Sequence, residues 1–196
     1  MDALDAIKTR RSTRQFSAKP VEPEKLSEIL ECGRLAPSGV NIQQTKFLVI
    51  QDAKVLKDLA EIVQAEFAKQ VVTAETSKVL AHSINMAHKG KYVFHYDAPV
   101  LIVTANKANA DNNIADCVCA IENMMIAANA LDLGSCYINQ LRRLNENPAV
   151  LGCMKRLGLE DDERVYASVS IGYPASKDGM PLREPLPRIG NQVIYI

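Results

Sequence analysis

The sequence predicts one domain of interleaved helices and strands, and three observations carry that expectation. The chain has 196 residues, near the typical domain size of about 150 and short of two domains. Residues 53–72 and 112–133 repeat apolar side chains at helical spacing. Two further runs have strand character: 98–105 is continuously apolar, and 164–172 alternates apolar with polar residues.

Taken in order, residues 2–9 place Leu4 and Ile7 one turn apart, which predicts a short amphipathic helix ending at Arg10-Arg11-Ser12. Pro23 suits a first helical turn, and Leu26, Ile29, Leu30 and Gly33 share a face before Pro37 stops this second helix. Residues 47–50 read as a strand. Over 53–72, Val55, Leu56, Leu59, Ile62, Val63 and Phe67 form an apolar stripe between charged positions. Residues 73–97 mix polar and apolar without period and predict a helix fragment with a mobile loop. The run 99–105 predicts a central strand covered on both faces.

In 112–133, Ile114, Val118, Ile121, Met125, Ala128 and Leu131 make one face. Cys117, Ala120, Met124 and Ala127 leave the rest almost as apolar, so the helix must be buried on nearly every side, in the core or at a subunit interface. Gly134-Ser135 reads as its C-cap and 136–138 as a short extended piece. Residues 146–157 predict a helix closed by Gly158, and 164–172 a strand. A Pro-rich connection, 174–191, leads to a last strand at 192–196, an extended tail suited to lie across a partner subunit.

Composition limits the function classes. With 47% hydrophobic residues and 23 basic against 23 acidic, the chain can build a core but carries no field of the kind that nucleic acid or an anionic membrane attracts. The N-terminus is acidic with no apolar run after it, and no apolar stretch approaches the roughly 20 residues of a membrane helix, so a cytoplasmic protein is expected. Five cysteines at irregular spacing predict reduced, mostly buried thiols. His82, His88 and His95 lack metal-ligand spacing, Cys117-x-Cys119 lacks a second pair, and no Rossmann, P-loop or hydrolase-elbow motif occurs. The turn Glu160-Asp161-Asp162-Glu163 reads as a solvated loop.

Two clusters could carry chemistry. Arg10, Arg11, Ser12, Thr13 and Arg14 gather three guanidinium groups and two hydroxyls at a helix end, which suits a phosphate but also describes an Arg-rich surface turn. Arg183 and Arg188 form a second basic pair that could converge on the same anion. Between the second helix and the first strand, Pro37, Ser38, Gly39, Asn41 and Gln43 combine turn chemistry with amide side chains. The segment serves either as a connector or as a set of donors and acceptors matching the edge of a flavin or pyrimidine ring. A hydrolase or transferase using Cys136 or Cys153 would need a base that the sequence does not identify.

Five segments in order resemble the nitroreductase family of FMN-dependent oxidoreductases: R-R-S-T-R-Q-F at 10–16, A-P-S-G-V-N-I-Q-Q at 36–44, A-P-V-L-I-V at 98–103, I-E-N-M-M-I-A-A-N-A-L-D-L-G-S-C at 121–136 and S-I-G-Y-P at 170–174. The resemblance implies an α+β fold, a central, mainly antiparallel sheet flanked by helices, in an intertwined homodimer with an exchanged C-terminal tail and FMN at the interface. It implies that Arg10, Arg11, Ser12 and Arg14 hold the FMN phosphate, ribityl chain and flavin edge, with Arg183 or Arg188. Pro37, Ser38, Gly39, Asn41 and Gln43 of the other subunit would line the ring, and backbone groups at Tyr137, Ile138 and Asn139 would approach flavin N5 and O4.

The implied activity passes a hydride from NADH or NADPH through flavin N5 to a nitroaromatic, quinone or similar small-molecule acceptor by alternate half-reactions, with no catalytic side chain required. The alternative is an FMN-binding storage or sensor protein without turnover. Two departures stand out. Gln44-Thr45 occupies the place of the family's frequent Pro-Trp, and Pro181 replaces a frequent Lys, which leaves Arg183 and Arg188 both as phosphate candidates.

Overall fold

The computed structural model describes residues 1–196. Four strands, β1 (Lys46–Ile50), β2 (Val100–Lys107), β3 (Gly134–Ile138) and β4 (Glu163–Gly172), form an antiparallel sheet in the order β1-β2-β4-β3. Seven helices surround it: α1 (Ala3–Thr9), α2 (Pro23–Arg34), α3 (Ala53–Ala68), α4 (Lys78–His88), α5 (Asn113–Ala130), α6 (Gln140–Arg143) and α7 (Pro148–Arg156).

The continuous apolar run of β2 has the predicted consequence: it is interior and its residues 100–106 are all buried. Because successive strand side chains point to opposite faces, Leu101, Val103 and Ala105 join one apolar cluster while Val100 and Ile102 join another. The first cluster packs the sheet against α3, α4 and α7 through Leu59, Val63, Phe67, Ile84 and Met154. The second packs it against α2 and α5 through Ile29, Ile121, Met124 and Ala128. A β-bulge shifts the β2–β4 register between Thr104 and Ala105, so Val165 and Ala167 fall in different clusters although they are two residues apart.

Helix boundaries follow ordinary capping chemistry. Pro23 and Pro148 stand at the first turns of α2 and α7, and the Asp52, Ser77 and Asn147 side chains accept from the opening amides of α3, α4 and α7. All five cysteines are free, with Cys117, Cys136 and Cys153 buried, Cys32 half-buried and Cys119 exposed.

Several expectations need correction. Gly134-Ser135 is no helix cap. The α5 helix ends at Ala130, Asp132 supplies the left-handed turn (φ 63°), and Gly134 and Ser135 pair with Gly172 and Ile171 in β3. Gly134 serves close approach instead, since a Cβ there would lie 2.5 Å from Thr13 Oγ1. On α1, Leu4 and Ile7 are exposed and Ala6 is the buried contact, its carbonyl accepting from Asn129 Nδ2 at 2.9 Å. A small residue lets this short helix approach α5 closely.

The unperiodic stretch 73–97 holds a complete helix, α4, and α6 was not predicted. Residues 192–196 form no strand, because nothing in their own chain offers them a backbone ladder. Within the acidic turn, Glu163 is buried against Lys46 Nζ at 2.6 Å, whereas Asp161 and Asp162 stay exposed. In the single chain Ile114 and Cys119 of α5 are exposed, surface that only a subunit interface could cover.

Candidate active site

The free edge of β3 sets the site. An edge strand presents unpaired backbone groups, and the Arg-rich segment satisfies some of them. Ser12 bridges Ser135, Thr13 N donates to the Ser135 carbonyl at 2.9 Å, and Phe16 bridges Pro174. Ser17 N donates to the Tyr173 carbonyl at 2.8 Å, and Ala175 N donates to that of Gln15 at 3.0 Å. Residues 10–17 are thereby fixed along the ends of β3 and β4.

This arrangement opens a cavity of about 610 Å³ whose walls include Arg11, Ser12, Thr13, Arg14 and Arg183. A second cavity, about 810 Å³, shares Arg14, Gln15 and Ala175 with it and continues to Gln140 and the α4 face carrying Val79, Ser83 and Met86. A third, about 450 Å³, is bordered by Leu80, Asn139, Arg142 and Arg143 and shares no lining residue with the other two. The first two cavities thus follow one path, from the arginines past the end of β3 to α4.

The turn from β3 to α6 is tied to α4 by hydrogen bonds. Asn139 N donates to Gln140 Oε1 at 3.1 Å, Gln140 Nε2 donates to Tyr92 Oη at 2.6 Å, and the buried Tyr92 hydroxyl donates to Ser83 Oγ at 2.8 Å. Burial pushes the Tyr92 phenol up, opposed by its bonds to Ser83 and Gln140, so it stays a neutral donor.

The guanidinium groups differ in their engagement. Arg10 faces Glu122 at 3.7 Å, and Arg11 donates to the Glu184 carbonyl. Arg183 Nη2 contacts Asp132 Oδ1 at 2.5 Å and the Asn129 carbonyl at 2.8 Å, while its Nε is buried with no partner. Arg14 has no carboxylate within ion-pair distance. Asn139 Oδ1 is likewise buried and unpartnered. A buried polar atom without a partner carries a desolvation cost of about 1–3 kcal/mol, which a ligand can relieve. The donor set fits a phosphate at the Arg11, Arg14 and Arg183 end, and the amides of Asn139 and Gln140 fit the polar edge of a ring.

Tyr137 is half-buried and Ile138 buried at the end of β3, and the side chain of neither lines these cavities. The remaining candidates lie elsewhere. Pro37, Ser38, Gly39, Asn41 and Gln43 pack on the start of α5, where Gly39 N donates to Asp116 Oδ1 at 3.1 Å. They line none of the three cavities. Positive φ at Val40, Asn41 and Gln43 (47°, 57° and 55°) marks this loop as strained, and Val40 is almost fully exposed. Arg188 sits on the exposed tail, outside the cavities.

The cysteines are poor nucleophiles. Burial raises the Cys136 and Cys153 thiols and pushes Cys117 up to about 12, so the reactive thiolate is disfavoured in each. No cluster of metal-ligating side chains occurs, and no helix is long and apolar enough to cross a membrane.

Residues 7–173 match the sequence pattern of the Nitroreductase family. The chain belongs to the nitroreductase family. A curated family relative of Archaeoglobus fulgidus, named for NADH dehydrogenase or NAD(P)H nitroreductase activity, is 28% identical over 173 residues, covering 88% of this chain and 86% of that one. The crystal structure of a Bacteroides fragilis nitroreductase with bound FMN is 33% identical, with all of both chains covered and a TM-score of 0.86. An FMN-bound nitroreductase from Desulfitobacterium hafniense, 21% identical over 100% of this chain and 99% of that one, shares the fold with a TM-score of 0.80.

Within this nitroreductase fold, sequence reasoning singled out neither Gln140 nor Tyr92 and foresaw α4 only as a helix fragment. Gln140 lies in a four-residue helix too short to show a period, and its partner Tyr92 is 48 positions away.

Proposed function

We propose that the chain is an FMN-dependent NAD(P)H oxidoreductase, folded as one domain and active as a homodimer. The observation that carries this reading is the unpartnered Arg183 Nε beside Arg11, Ser12 and Arg14, in a cavity that continues past the β3 turn. FMN, when bound, supplies the hydride chemistry, so the protein's tasks are binding, orientation and exclusion of water.

Arg11, Ser12, Arg14 and Arg183 hold the phosphate and ribityl chain, with Arg10 steadied beside them by Glu122. The backbone of Tyr137, Ile138 and Asn139 fixes the ring edge, and the Gln140–Tyr92–Ser83 hydrogen bonds hold that backbone in place. Pro37, Ser38, Gly39, Asn41 and Gln43 of a second copy close the ring face; their strain and exposure in the single chain favour a role across an interface. Leu4, Ile7 and the uncovered face of α5 supply apolar surface for the same association, and the tail through Arg188 to Ile196 crosses to the partner. NADH or NADPH and the acceptor, a nitroaromatic, quinone or similar conjugated molecule, occupy the space between Gln140 and α4 in turn.

Steady-state oxidation of NADH and NADPH by the purified yellow protein tests the proposal. Acceptor-dependent turnover with parallel double-reciprocal lines is expected. Tight FMN binding without turnover would replace this reading with storage or sensing.

A further inference from the structure

The chain as a whole is neutral, yet the cavities on either side of the β3–α6 turn are not. The one running under α4 has Lys78 and Lys91 on its walls besides Arg14, with Asp97 its single carboxylate; a separate one, across Asn139 and Gln140, has Arg142 and Arg143 and no carboxylate. None of Lys78, Lys91, Arg142 and Arg143 forms an ion pair, although twelve ion pairs occupy other charged residues of this chain. The fields of the two arginines reach the neighbouring phenols, Arg142 opposing the burial-driven rise of Tyr137 and Arg143 that of Tyr92, the partner of Gln140. Unpaired charge of one sign along a recess concentrates ligands of the opposite sign.

We infer that the electron acceptor of this enzyme carries an anionic group, a carboxylate or its equivalent, seated between α4 and α6. This rests on the function proposed above. Arg11, Arg14 and Arg183 answer the cofactor phosphate in their own cavity, which leaves these four cations without an assigned anion. Lys78 and Lys91 line the cavity that leads from Arg14 to Gln140 and α4, and Arg142 and Arg143 follow Gln140 on α6, which sets all four toward the acceptor end of the proposed site. The 2′-phosphate of NADPH has similar chemistry, so the experiment separates the two sources.

Calorimetric titration of the purified protein with 4-nitrobenzoate and its uncharged near-isostere 4-nitrobenzamide reads the preference without turnover. At low ionic strength the carboxylate should bind about tenfold more tightly, the scale of two exposed charge contacts, and the advantage should shrink in high salt. In the Arg142→Gln/Arg143→Gln double variant the advantage should fall to about twofold or less, with 4-nitrobenzamide binding unchanged. Lys78→Gln/Lys91→Gln is the second variant should the first fail to fold.

Equal affinities in the wild type, or a preference that both double variants retain, would overturn the inference. So would variants that weaken NADPH relative to NADH in steady-state assays while leaving the acceptor ratio intact. Failure to bind FMN or oxidise NAD(P)H at all would defeat the underlying reading instead, and flavin absorbance and the steady-state assay read that separately from the titration of the two nitro compounds.

Discussion

Replacing Arg14 by Ala separates cofactor binding from stability. The side chain is exposed, lines both the arginine cavity and the one under α4, and makes no ion pair, so removing it takes nothing from the folded chain that a carboxylate would miss. Surface changes of this kind usually alter stability by no more than about 0.5 kcal/mol. A charge-assisted hydrogen bond to an anion is worth about 1.5–3 kcal/mol, so FMN affinity should fall roughly ten- to a hundredfold. Flavin fluorescence quenching on titrating stripped protein with FMN gives both dissociation constants, and urea unfolding without FMN gives the stability. Arg183→Ala is the contrast: its guanidinium also ties Asp132 and the Asn129 carbonyl, so both affinity and stability should fall. Unchanged FMN affinity in Arg14→Ala, with the fold intact, would refute the placement of the phosphate.

Other consequences are equally specific. Tyr92→Phe removes the hydroxyl joining Gln140 to Ser83, leaving the half-buried Gln140 amide short of an acceptor and Ser83 with only its bond to the Val79 carbonyl, so urea unfolding should show a loss of about 1–3 kcal/mol. Met124→Ala empties a fully buried site between α5 and the sheet and should cost about 2–5 kcal/mol in the same assay. Gly134→Ala should displace Thr13 and with it the arginine segment, lowering the melting temperature and FMN affinity together. The buried His95, whose ring nitrogens have no partner, has its pKa lowered by burial; the unfolded chain therefore takes up the proton first. Stability should be full above the ordinary histidine value near 6.5 and fall as pH drops below it. His95→Gln should flatten that slope in denaturant titrations at pH 8 and pH 5.5.

Some elements could be read directly and others could not, for physical reasons visible in the residues. The run 99–105 announced a central strand because a segment covered on both faces is mostly apolar, Thr104 being its one polar side chain. The arginine run was visible because five adjacent residues share one chemistry. The α4 helix was legible only as a fragment because its buried face offers one large apolar residue, Ile84, beside the small Ser83 and Ala87. Gly134-Ser135 misled because glycine after a helix has two uses, and only the position of Thr13 distinguishes close approach from a cap. Arg183 could be nominated from sequence, whereas its unpartnered Nε depends on contacts with Asn129 and Asp132, more than fifty residues away.

A crystal structure of the FMN-loaded protein tests the central claim most directly. The account predicts the phosphate within ion-pair distance of Arg14 and Arg183, the ring beside Asn139, and residues 37–43 of a second copy against its face. A phosphate found instead in the separate cavity bordered by Leu56 and His95, or a ring enclosed by one subunit alone, would contradict it.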